Sequence, residues 1–135
     1  MNLLEISKRL AELVEEEARR MNVPVTISVV DIHGNIVLKQ RMQGAPLLSI
    51  EMSERKAYTS ALLRMRTEEI TPLVQPGQSL YTLTSVAGGR YVALGGGVPL
   101  RADEEVVAGV GVSGGTTEQD ISIVEAACRR LVVRN

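Results

Sequence analysis

Glycines interrupt two stretches that otherwise read as β-branched strands: Gly95-Gly96-Gly97-Val98-Pro99-Leu100, and Gly109-Val110-Gly111-Val112-Ser113-Gly114-Gly115. Glycine weakens a strand because it loses much backbone entropy on folding and brings no side chain to pack. A fold keeps it there when something must approach the backbone closely: a helix, a neighbouring subunit or a ligand. Strand alternation puts Val106, Ala108, Val110 and Val112 on one face, with Val107, Gly109, Gly111 and Ser113 on the other. One face therefore carries side chains and the other is nearly bare. Two readings of the bare face stay open, close packing of a helix or subunit and a shallow ligand groove.

The segment Gly109-Val-Gly111-Val-Ser-Gly114 also fits G-x-G-x-x-G. A dinucleotide site needs a further parallel strand after the following helix, and an acidic residue about 20 positions on. Only one helix separates this motif from Asn135, so the match is expected to be accidental.

The chain has 135 residues and is expected to be one domain spanning 1–135. With no Trp, no Phe and three Tyr (Tyr58, Tyr91 and Tyr81), the core must be built from Val, Ile, Leu, Ala and Met. A net charge of −1 and so few aromatic rings argue against nucleic acid as a partner. No apolar run is long enough for a membrane span, and the N-terminal segment is amphipathic and charged. A single cysteine excludes an intrachain disulfide, and a cytoplasmic location is expected.

Leu3, Ile6, Leu10, Leu13, Val14, Ala18 and Met21 recur at helical spacing, predicting a helix over 3–21 with Asn2 as its cap and a stop at Asn22 and Pro24. Strands are expected at 25–31 and 36–42, joined by a turn at His33-Gly34-Asn35. A second helix is expected over 49–66, capped by Ser49, then a loop marked by Pro72 and Pro76-Gly77. Strands at 79–86, 90–100 and 105–113 and a helix over 117–132 complete the pattern. Thr116 with Gln119, or Thr117 with Asp120, has capping-box spacing. The order α-β-β-α-β-β-β-α predicts an α+β domain with a mostly antiparallel five-stranded sheet and helices packed on it.

An ordered set of residues runs through nearly the whole chain: Asn22-Val-Pro-Val-Thr-Ile-Ser-Val-Val-Asp31, Gly34, Arg41-Met-Gln-Gly-Ala45, Ser49-Ile50, Lys56-Ala57, Gly96-Gly97-Val-Pro99 and Gly109 to Gly115. Together they resemble the GlcG/HbpS family, which includes the C-terminal domain of PduO-type corrinoid adenosyltransferases and is often labelled haem-degrading. The resemblance implies a profilin-like or PAS-like domain that is usually oligomeric. It implies haem or other small-molecule binding in some members, and corrinoid-dependent diol or glycerol metabolism in others. The chain departs from the family at Ile32-His33-Gly34, where the turn is usually richer in glycine, and at Gln43, where an aspartate is frequent.

The Ser113-Gly114-Gly115-Thr116-Thr117 turn leads into a helix start, where successive N–H groups suit a carboxylate, a phosphate or a haem propionate. Capping by Thr116 or Thr117 competes for the same groups, and Glu118 and Asp120 already complement the helix dipole. Arg41 and Lys56 are the cations to pair with that turn; a plain surface charge is the alternative for each. Asp31 is expected to accept backbone N–H groups of its own turn. His33 is the sole histidine and could serve a haem iron, yet a hairpin turn should hold it away from an apolar cleft; Met42, Met52, Tyr58 and Tyr91 are further donors. Cys128 shares a helical face with Ile121, Val124 and Leu131 and reads as an apolar filler.

The leading expectation is a non-enzymatic accessory protein that binds a small anionic ligand, with haem or a corrinoid as the cofactor in view. Its groove would be lined by Arg41, Lys56, Gly96, Gly97, Ser113, Gly114, Gly115 and Thr116. An assembly protein that packs its glycine faces against copies of itself, as a homo-oligomer without ligand, is the second reading. An enzyme acting on a small carboxylate or on haem is the third.

Overall fold

The computed structural model describes residues 2–132. Helix α1 (Leu3–Met21) starts where Asn2 accepts the Glu5 N–H at 3.2 Å. It stops at Asn22, whose left-handed conformation (φ 58°) returns its N–H to the last turn. Strands β1 (Thr26–Asp31) and β2 (Ile36–Arg41) form the expected hairpin. Helix α2 (Leu48–Leu63) and the short α3 (Thr67–Ile70) follow, then β3 (Gly97–Ala102), β4 (Glu105–Ser113) and α4 (Thr117–Arg130). The sheet is antiparallel, in the order β2-β1-β4-β3.

Among the described residues there are four strands, not five. Residues 79–86 instead form successive tight turns, with Leu83 N–H donating to Leu80 O and Val86 N–H to Leu83 O. The strand expected at 90–100 begins only at Gly97. The edge of the sheet explains both differences. The Gly97 N–H, pointing away from β4, is already taken by Thr67 Oγ1 at 2.8 Å, and Pro99 has no N–H to offer. Local strand propensity at 79–96 therefore has no ladder to join. Ser49 does not cap α2 either. It lies inside the helix, donates to Pro46 O at 2.6 Å and shares a 2.7 Å hydrogen bond with Thr26 Oγ1.

Helices cover both faces of the sheet. On one face α1 and α4 bury Leu10, Leu13, Val14, Ile123 and Val124 against Ile27, Val29, Val110 and Val112. Each such side chain contributes about 1.5–3 kcal/mol when fully buried, so this layer supplies most of the hydrophobic stabilisation. On the other face α2 lies on β1, β4 and β3 through small residues, with only Val30, Ala57 and Ala61 forming a buried apolar group. Ser28 and Ser53 meet there at 2.8 Å, and Ser60 Oγ donates to Val98 O at 3.1 Å.

Candidate functional site

The bare glycine face is occupied by α2. A Cβ at Gly109 would stand 2.1 Å from Ala57 O, one at Gly111 2.0 Å from Ser53 O, and one at Gly97 2.5 Å from Lys56 O. All three neighbours are helix backbone, which cannot swing aside as a side chain can. Of the two readings of these glycines, close helix packing is the one the fold adopts.

Lys56 projects from this packed face and is only 3% exposed. Its Nζ donates to Val112 O and to Asp120 Oδ2, both at 3.0 Å. The second oxygen, Asp120 Oδ1, accepts the Gly115 N–H at 2.9 Å. Gly96 makes room for the ammonium: at φ 122° it holds a conformation side chains rarely adopt, and a Cβ would lie 2.9 Å from Nζ. Burial pushes the Lys56 pKa down and that of Asp120 up, while their mutual attraction opposes both shifts. The next amide, Thr116 N–H, donates to Gln119 Oε1 at 2.8 Å, and Gln119 N–H returns a bond to Thr116 Oγ1 at 3.2 Å. The amides of Gly115 and Thr116 are therefore met by the chain's own side chains.

Lys56, Gly96, Gly115 and Thr116 thus meet at Asp120, with Gly97, Ser113 and Gly114 alongside on or next to β3 and β4; the sequence had offered Asp120 as a helix-dipole or Thr117 capping-box residue, not as the partner of Lys56. Ser113 is buried, Gly114 half-buried, and Gly115 and Thr116 are exposed. Arg41 stands apart. Its Nε and Nη2 both reach Ala45 O, at 3.3 and 2.9 Å, and the whole of β1 separates it from Ser113, since Thr26 pairs with each. Asp31 behaves as expected, its Oδ1 accepting the His33 and Asn35 N–H groups at 2.9 and 3.0 Å.

The turn that Asp31 organises packs onto Tyr58. Gly34, at φ 84°, comes so close that a Cβ there would lie 2.6 Å from Tyr58 Cε2. Gly34, Ile50 and Tyr58 line a cleft of about 310 Å³ with three cations, Lys39, Arg55 and Arg90, and two carboxylates, Glu51 and Glu54. His33 precedes Gly34 in the turn, is exposed, and is not among the residues that line the cleft. The Arg90 guanidinium lies 4.9 Å from the centre of the Tyr58 ring, and Tyr91 packs against that ring at 5.4 Å between centroids. Burial first, then the neighbouring Tyr58, raises the Tyr91 pKa. Lys39 pairs with Glu54 at 2.9 Å, while Arg55 bridges Glu51 and the Gly89 carbonyl. Two of the three aromatic residues meet here, the one signal in the sequence that could have marked the place.

Cys128 is half-buried, with its thiol pushed up to about 11 by desolvation, as suits a filler. Among the described residues no group of three or more His, Cys, Asp or Glu is placed to hold a metal ion, and no helix is long and apolar enough to cross a membrane.

Residues 4–129 match the family model described as haem degrading protein HbpS-like. The chain is 48% identical over 124 residues to a 15.0 kDa protein of the dhaT-dhaS intergenic region of Citrobacter freundii, a match covering 92% of this chain and 87% of that one. It is 40% identical over 119 residues to the corrinoid adenosyltransferase PduO of Salmonella typhimurium, covering 88% of this chain but only 35% of that protein. The crystal structure of a PduOC:heme complex superposes with a TM-score of 0.90 at 38% identity, covering 93% of this chain and 91% of that one.

Proposed function

Because the chain belongs to the HbpS-like family, we propose that it is a binding protein for haem or a closely related tetrapyrrole, an accessory to corrinoid-dependent diol or glycerol metabolism. Support comes from one relative solved as a haem complex and from another that is a corrinoid adenosyltransferase.

The observation that carries the reading is the cleft where the Tyr58 ring, Gly34 and the Arg90 guanidinium meet, with Lys39, Arg55, Glu51 and Glu54 around them. A haem site needs an apolar or aromatic wall, cations for the propionates and a donor for the iron. Tyr58 and Ile50 supply the wall and Arg90 the charge, while Lys39 and Arg55 are shared with Glu54 and Glu51 on the same wall. His33, exposed and one residue from the cleft-lining Gly34, is the donor in this reading. These residues fit the group. Bound iron would bring ligand-binding and redox chemistry; the chain's own part is to hold the propionates, stack the ring and present the imidazole. On this reading the ligand lies beside α2 on the β1–β2 side, away from the 113–116 turn.

A second reading, assembly into a homo-oligomer, is favoured by apolar side chains left in solvent: Leu47 is 80% exposed and Leu48 65%. The two readings are compatible. Titration of the purified protein with haem should give a saturable Soret shift, and light scattering should give a mass above that of one chain. Absence of any saturable shift overturns the binding proposal, and a monomeric mass overturns the assembly one. Progressive loss of the haem spectrum would instead point to turnover.

A further inference from the structure

A different cleft opens at the outer edge of β3. Helix α2 ends at Arg64, which sits in the left-handed region at φ 55° and ψ 38°, a position ordinarily given to Gly or Asn. Arg66 follows in extended conformation as α3 begins. These residues form one side of a cleft of about 280 Å³, and Val98, Pro99 and Arg101 form the other. Arg64 makes no side-chain hydrogen bond or ion pair among the described residues. Arg101 Nη1 donates to a neutral acceptor, Glu104 O, at 3.2 Å. Arg66 is the anchored member, held by Glu68 and Glu125. Three guanidinium groups thus line the cleft with one carboxylate, Glu69, while Glu104 and Glu105 line the adjoining hollow that Arg64 and Arg101 also share.

We propose that this cleft binds a small organic oxyanion, whose carboxylate or phosphate is held by Arg64 and Arg101 and whose short apolar part lies on Val98 and Pro99. Guanidinium forks are matched to such oxyanions and bind them in two-point fashion. The floor favours a small molecule over an added peptide strand. The outward N–H of Gly97 is taken by Thr67, and Pro99 has none, so β3 lacks the donors that strand addition requires.

The test is calorimetric titration of the full chain with inorganic phosphate and, separately, with butyrate. Saturable binding is expected for at least one probe, weakening as salt is raised. Arg64→Gly suits the left-handed backbone and should leave thermal stability equal or higher, yet lower the affinity at least about tenfold. Arg101→Gln should act in the same direction, while Arg9→Gln, on α1, should leave binding unchanged. A response to phosphate alone assigns a phosphate ester, and a response to butyrate alone a carboxylic acid. The proposal is overturned if neither probe saturates by about 10 mM, or if both the Arg64 and Arg101 variants bind as tightly as the parent.

Discussion

Gly111→Ala probes the contact on which the α2 layer rests. The added Cβ would meet Ser53 O at 2.0 Å and Ala57 N at 2.6 Å, both helix backbone. No rotamer relieves this, so α2 must move off β4 by about 1 Å to restore ordinary contact distances. Overpacking of this kind costs about 1–3 kcal/mol, and rigid neighbours put this site at the upper end. The movement also stretches the Ser28–Ser53 bond of 2.8 Å and the Lys56–Val112 bond of 3.0 Å, each worth about 0.5–1.5 kcal/mol net. The expected total is about 4–6 kcal/mol, a large part of the stability of a domain this size. With a urea slope of about 1–3 kcal/mol per molar, the unfolding midpoint should fall by at least about 1 M at unchanged slope. Gly115→Ala is the comparison, because its obstacles are side-chain atoms, Gln119 Oε1 at 2.6 Å and Val23 Cγ1 at 2.8 Å, which can shift at the expense of the helix cap. It should cost about 1 kcal/mol. A Gly111→Ala protein as stable as the parent, or more stable than Gly115→Ala, would refute the seating of α2 on bare strand.

Three further outcomes follow from the same geometry. Lys56→Met leaves Asp120 buried without its cation and should destabilise by about 3–5 kcal/mol in urea unfolding; Lys56→Met with Asp120→Asn should cost clearly less than the two single changes added together. The Asp31 carboxyl is held below its ordinary 3.8, first by the Asn35 N–H and also by the His33 N–H. As pH falls the unfolded chain takes up this proton first, so the stabilisation is present above about pH 4 and is lost as pH drops through the folded value. Asp31→Asn should therefore flatten the acid limb of stability against pH between about 2 and 5. Cys128, with its thiol near 11, should react slowly with a disulfide reagent at pH 8 in the native protein and rapidly once unfolded; equal rates would contradict its burial.

Much of the fold was legible in the chain. The spacing from Leu3 to Met21, Asn2 with Glu5, and Thr116 with Gln119 are local signals, and the structure uses each as written. The glycines of β4 announced a close approach but not by what. The answer lay in α2, where Ser49, Ser53, Ala57, Ser60 and Ala61 place small residues on one helical face, complementary to Gly109 and Gly111. Residues 79–86 misled because their strand propensity is real while the sheet edge that would receive them is closed by Thr67 and Pro99. The Lys56–Asp120 pair was half legible. Both residues stood out, but a separation of 64 positions hid their contact, so an internal partner for the glycine turn looked like a vacancy for a ligand. The Tyr58 cleft depends on residues far apart in sequence, Gly34 and Arg90 among them, that only tertiary packing brings together.

The most direct measurement is haem titration with paired variants, followed by the Soret band and by amide chemical shifts. If the ligand sits against Tyr58, then Tyr58→Ala and Arg90→Ala should each weaken binding about tenfold or more, and shifts should cluster around Gly34, Tyr58 and Arg90. Thr116→Ala should leave the affinity as it was. Binding that survives Tyr58→Ala and Arg90→Ala but is lost in Thr116→Ala, with shifts at 113–116, would contradict the placement and return the ligand to the glycine turn.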